Sequence, residues 1–154
     1  MRHLPPAHLP RADRPRAVEA LVALTRLHLR AREPAKAKET VRQALDEAKR
    51  SEASSSLVVD ALTAQAASEQ VEGNAAAALR SLEEALATST SCGDAAAEAK
   101  VRQHIARLHQ QTGKLTEALK AAKESLSTAQ RLSWDEGTAV ASSNACWTGG
   151  LPWR

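Results

Sequence analysis

The sequence predicts an all-α protein: an α-solenoid of three antiparallel helix pairs plus a C-terminal capping helix. Three observations predict it. The stretch Ala95–Arg131 reads as two amphipathic helices separated by the turn Thr112-Gly113-Lys114. Its anchors recur upstream. Gly113, Ala118 and Ser125-Leu126 have counterparts in Gly73, Ala78 and Ala85-Leu86 forty residues earlier, and in Arg32, Ala37 and Ala44-Leu45 forty-one residues before those. Such a period, with helix–turn–helix content in each copy, is the pattern of stacked helical repeats. Finally, 43% of the 154 residues are hydrophobic but only 2% aromatic. A core of Ala and Leu suits helices that approach closely, because a small residue is needed where two backbones cross.

Taken in order, Met1–Arg16 has Pro5, Pro6, Pro10 and Pro15, too dense for a continuous helix, so residues 1–15 are expected to form a disordered leader. Its arginines could serve a docking or targeting arm, although the prolines would interrupt the amphipathic helix of an organelle presequence. The first helix is expected from Pro15-Arg16 to about Arg32, proline being tolerated in an opening turn. In it Leu21, Leu24, Leu27 and His28 share a face. Pro34 fits the start of the next helix, Ala35–Arg50, with Ala37, Val41, Ala44, Leu45 and Ala48 as its buried stripe.

Ser51–Ser56 is a polar connection to a second pair, about Ser56–Glu72 and Asn74–Thr88, joined at Gly73 and carrying Leu79, Leu82 and Leu86 in its stripe. Thr88–Gly93 is a linker, and Asp94 an N-cap for the third pair. The expected repeats are 16–53, 54–93 and 94–133. Trp134–Trp147, with Asp135 as N-cap, is expected to be a solitary helix covering the last apolar face, and 148–154 a disordered tail. The rival reading is an array meant to continue, in which Trp147 and Trp153 would mark a self-associating end.

On the small residues Thr25, Ala66 and Ala106 in the first helix of each pair, the turn glycines Gly73 and Gly113, and the alanines Ala37, Ala78 and Ala118, the chain resembles the tetratricopeptide repeat (TPR) family in its variety of about forty residues per repeat. Where that family commonly places a large aromatic, this chain has His28, Glu69 and His109. The resemblance implies a non-catalytic protein–protein interaction scaffold. Its groove-lining positions fall on Glu19, Val22, Arg26, Leu29 and Arg30, then Asp60, Thr63, Ala67 and Gln70, then Lys100, Gln103, Arg107 and Gln110. Four bases face two acids there, so an acidic peptide or partner helix is the expected occupant. The family's peptide-carboxylate clamp is only partly matched, with Val22 and Ala64 where polar members belong and Lys100, Arg26 and His104 left, and of its asparagine ladder Asn144 alone is retained, with Ala23, Ala64 and His104 at the other places. The alternatives are self-association through the Trp-containing end, or a sensor fragment of a larger regulator.

Chemistry is sparse. Gly113-Lys114 lacks the upstream glycine of a phosphate loop, with Leu108 in its place and Leu115 where Ser or Thr would hold magnesium. His104 and His109, five apart on one helix, diverge by about 140° and share no metal. The acid pairs Asp46-Glu47 and Glu83-Glu84 are expected on solvated outer faces. Neither catalytic residues nor a metal or cofactor is expected.

The net charge is +3, divided as twelve bases against six acids over residues 1–50 and nine against twelve thereafter. The bases are interspersed with acids at helical spacing and lack aromatics for base stacking, so a solvated face is favoured over nucleic acid. Cys92 and Cys146 form no metal or disulfide spacing and are expected as free thiols. No apolar run approaches the roughly 20 residues of a membrane span. The expectation is a cytoplasmic protein.

Overall fold

The computed structural model describes residues 13–51 and 53–143, with side chains as far as Ser133. Its elements are six helices: α1 (Arg14–Arg30), α2 (Pro34–Arg50), α3 (Ser55–Val71), α4 (Ala75–Ser91), α5 (Ala95–Gln111) and α6 (Leu115–Ser143). No strand occurs among the described residues. Each odd-numbered helix pairs with the one that follows. Pairs then stack through α2 on α3 and α4 on α5, while α1, α3 and α5 also touch in series. That series of first helices forms the inner side of the stack.

Local chemistry sets the boundaries. Pro15 and Pro34 stand in opening turns, where no backbone donor is lost. Asn74 and Asp94 cap α4 and α5 by accepting the N–H of Ala77 at 3.1 Å and of Ala97 at 3.0 Å. Within each pair the first helix ends in one geometry: Glu33, Asn74 and Lys114 donate their N–H back to His28, Glu69 and His109, with φ of +59° at Arg32, +81° at Gly73 and +77° at Gly113. Two repeats satisfy this left-handed position with glycine. The first does so with an arginine.

The core is built from alanine, valine, leucine and isoleucine in two clusters. Val18 and Val22 of α1 pack with Val41, Ala44 and Ala48 of α2 and with Leu57, Ala61 and Ala64 of α3. Val59, Leu62 and Ala66 pack with Ala78, Leu82 and Ala85 of α4, with Val101, Ile105 and Leu108 of α5, and with Ala121 of α6. Ala37 and Ala78 are fully buried at their helix crossings, while Ala118 is only half-buried. Among the described residues no further helix closes over the last pair.

Several expectations are corrected. In α1 the buried residues are Val18, Val22 and Thr25, whereas Leu24 and Leu27 are 40% and 60% exposed. At 100° per residue, Leu24 and Leu27 lie on the side turned to the open end of the stack. Glu47 is not on a solvated face. It falls on the Ala44/Ala48 stripe, is 1% exposed, and faces Arg14 Nε at 3.7 Å, so the pair ties the start of α1 to α2. Glu83 and Glu84 are exposed as expected.

The solitary helix expected at 134–147 is, as far as Ser143, the continuation of α6. Gln130-Arg131-Leu132-Ser133 contains neither glycine nor proline, so nothing stops the helix, and Asp135 cannot act as an N-cap inside a run already helical. Residues 144–147, the tail 148–154 and most of the expected leader lie outside the described residues. Of that leader, Arg14 and Pro15 already belong to α1.

Candidate functional site

The inner side of the stack carries the expected groove residues on α1, α3 and α5, and the structure sorts them into two groups. Arg26, Asp60, Thr63 and Lys100 meet around one recess of about 160 Å³, together with Ser56, Asp94 and His104. Gln103, Arg107 and Gln110 border a second, more open recess of about 460 Å³ between α5 and α6, floored by Ala106, Ala118 and Ala122 and by Leu115 and Leu119. Leu29 and Arg30 lie in the last turn of α1, half-buried and exposed. Gln70 accepts no charge but donates to Gln111 Oε1 at 3.2 Å, joining α3 to α5. Of the other positions implied by the resemblance, Glu19 is exposed and Ala67 half-buried, whereas Val22 is 4% exposed and belongs to the core.

His104 is the electrostatic reporter of the first recess. Its pKa lies below the usual histidine value, first because the groove walls crowd water from the ring, then because Arg107, Arg26 and Lys100 oppose a further positive charge. The residue is exposed by area, so the desolvation comes from that crowding and not from enclosure. Three cations, one from α1 and two from α5, therefore act on one point. None of Arg26, Arg30, Lys100 and Arg107 makes an ion pair with a described residue. Elsewhere Arg42 pairs with Glu39 and Asp46, Lys38 with Glu72, and Arg102 with Glu98 and Glu124, whereas Arg32, Lys49 and Arg80 make no ion pair with a described residue.

His104, Ser56 and Asp94 are lining residues that the groove pattern did not include. Helical periodicity could have found His104, which lies one turn beyond Lys100 on the same face. Asp94 escapes because its sequence signal is that of a cap. With Asp60 it sets two carboxylates beside the bases of the recess.

A recess of about 460 Å³ also opens on the opposite side, between α2, α3 and α4, over Val41 and Leu45. It exists because Gln65 and Ser68 stand where α5 has Ile105 and Leu108. The Ser68 hydroxyl is buried there without a hydrogen-bond partner among the described residues. Among the described residues no three His, Cys, Asp or Glu side chains come together to hold a metal ion, and no helix is long and apolar enough to cross a membrane.

In sequence the chain matches no family model and no curated protein. Its structure is similar to the crystal structure of the TPR domain of Arabidopsis FLU, with a TM-score of 0.66 at 20% identity, over 79% of this chain and 99% of that chain. The fold is TPR-like. At that identity the likeness fixes how the helices stack and nothing about which side chains line the inner side. The TPR-like arrangement of α1, α3 and α5 is what brings Arg26 of α1 to the same recess as Lys100 and His104 of α5, far from it in sequence.

Proposed function

We propose that this TPR-like chain is a non-catalytic scaffold that holds a partner protein by an acidic peptide or helix laid along α1, α3 and α5. The observation that carries the reading is that Arg26 and Lys100 line one recess with His104, and Arg107 the next, without described carboxylates bound to those cations. Carboxylates entering the groove would form charge-assisted hydrogen bonds with groups already in place, the strongest polar contacts such a surface offers. Asp60 and Asp94 set the register, since an acidic residue opposite them is repelled while a neutral or basic one is accepted. The expected partner segment therefore carries its acids in a cluster facing α5, not spread along its length.

The test compares the intact chain with K100E/R107E. Affinity capture from the source cell should recover a partner that the variant loses, with the helical circular dichroism of the two chains superimposable. In direct titration an acidic peptide from that partner should bind the variant at least about tenfold more weakly, the equivalent of about 1.4 kcal/mol. Equal recovery and equal affinity would remove the groove as the site.

A further inference from the structure

The two ends of the stack carry the two halves of an interface that the molecule forms once inside itself. Equivalent helices begin at residues 14, 55 and 95, and at 34, 75 and 115, so positions correspond at steps of 41 and 40. By that correspondence Leu119 and Leu126 of α6 stand where α4 has Leu79 and Leu86, which pack on the cluster completed by Ile105 and Leu108 of α5. Among the described residues no helix meets the same stripe in α6: Leu119 is 57% and Leu126 58% exposed. At the opposite end, Leu24 and Leu27 of α1 stand where α5 has Ile105 and Leu108, and they are 40% and 60% exposed.

The match extends to the kind of residue. At the same places the contact of α2 with α3 is largely polar, with Lys38 at the Leu79 position facing Glu72 and with Gln65 and Ser68 where α5 has Ile105 and Leu108, and only Leu45 is apolar. The α4–α5 contact is apolar on both sides, and so are the two free ends. The polar seam continues as well, because the counterpart of the Gln70–Gln111 hydrogen bond would join Gln110 of one copy to Arg30 of the next.

We propose that the occupant of the α6 face is a second copy of this chain, docked by its α1 face, so that the stack continues head to tail. Such a contact uses different surfaces on the two copies and does not close on itself, so assembly lengthens with concentration instead of stopping at a dimer. It takes up Leu119 and Gln110 at the edge of the second recess and leaves the recess of Arg26, Asp60, Lys100 and His104 free.

Sedimentation velocity on the full chain tests this, alone and with the ends blocked by L119E/L126E or by L24E/L27E. The weight-average mass of the unmodified chain should rise with concentration beyond that of a dimer. Each blocked variant should remain monomeric alone, and an equimolar mixture of the two should give a complex of twice the monomer mass, because each supplies the end the other lacks. Circular dichroism confirms that the variants fold, and L119Q/L126Q with L24Q/L27Q serve if the glutamates unfold them. A monomer at every concentration would overturn the proposal. So would dimerisation of the α1-blocked variant by itself, which would mark a symmetric α6-to-α6 contact, or association of a chain blocked at both ends.

Discussion

Arg32 occupies a backbone position that its two counterparts give to glycine, so replacing it should stabilise the protein. Its φ of +59° is matched by +81° at Gly73 and +77° at Gly113, with the same flanking hydrogen bonds. A left-handed conformation costs a residue with a Cβ roughly 1–2 kcal/mol. Glycine returns roughly 0.5–1 kcal/mol of that through the greater freedom of the unfolded chain. The Arg32 side chain is exposed and makes no hydrogen bond or ion pair with a described residue, so its removal forfeits little. Arg32→Gly should therefore gain about 0.5–1 kcal/mol, raising Tm by roughly 1–4 °C for a chain of this size. The reciprocal change, Gly73→Ala, should lose a similar amount. No atom lies within 4 Å of the Cβ it would add, so the whole loss would be conformational. Urea and thermal unfolding of both variants measure the pair. Destabilisation by Arg32→Gly, or an unchanged midpoint for Gly73→Ala, would refute the claim that backbone strain at this turn separates the first repeat from the others.

Leucines of α4 and α6 should differ sharply. Leu82→Ala, at a side chain 1% exposed, should cost about 3 kcal/mol in urea unfolding, whereas Leu126→Ala, 58% exposed, should stay within roughly 0.5 kcal/mol. Arg14→Ala leaves the Glu47 carboxylate buried opposite nothing and should destabilise by about 3 kcal/mol, while Glu47→Met, which removes the buried charge, should be near neutral. Because His104 titrates below 6.5 when folded, the unfolded chain takes up the proton first. Stability should fall as pH drops through about 6.5 and level off once the folded ring is protonated, a slope that His104→Gln should reduce. Binding runs the other way. A carboxylate seated by His104 favours its charged form, so an acidic peptide should bind more tightly at about pH 6 than at pH 7.5, and His104→Gln should flatten that dependence.

The repeat architecture was legible because it rests on local and periodic signals. Gly73 and Gly113 mark the turns, Asp94 the cap of α5, Pro34 the opening of α2, and the small residues Ala37, Ala78, Thr25 and Ala66 the places where backbones meet. Each follows from the conformations or volumes that a residue permits, which are properties of the sequence itself. The positions of Arg26, Lys100 and Arg107 on first helices were legible by the same periodicity. What they face was not, since a charge is felt through space and its neighbours come from other repeats.

Tertiary structure alone decided the rest. Leu24 and Leu27 look like core on a helical wheel, and Leu119 and Leu126 repeat the pattern of buried Leu79 and Leu86. Whether such a stripe is covered depends on the presence of a neighbouring helix, about which its own periodicity is silent. Glu47 shows the converse: an acid in a charged stretch is buried because α1 brings Arg14 over it. The continuation of α6 to Ser143 is by contrast local in origin, since no breaker stands near Ser133 and a cap residue has no effect on backbone already committed to a helix. Sequence determines which faces can stack, and the number and order of repeats in space determines which of them do.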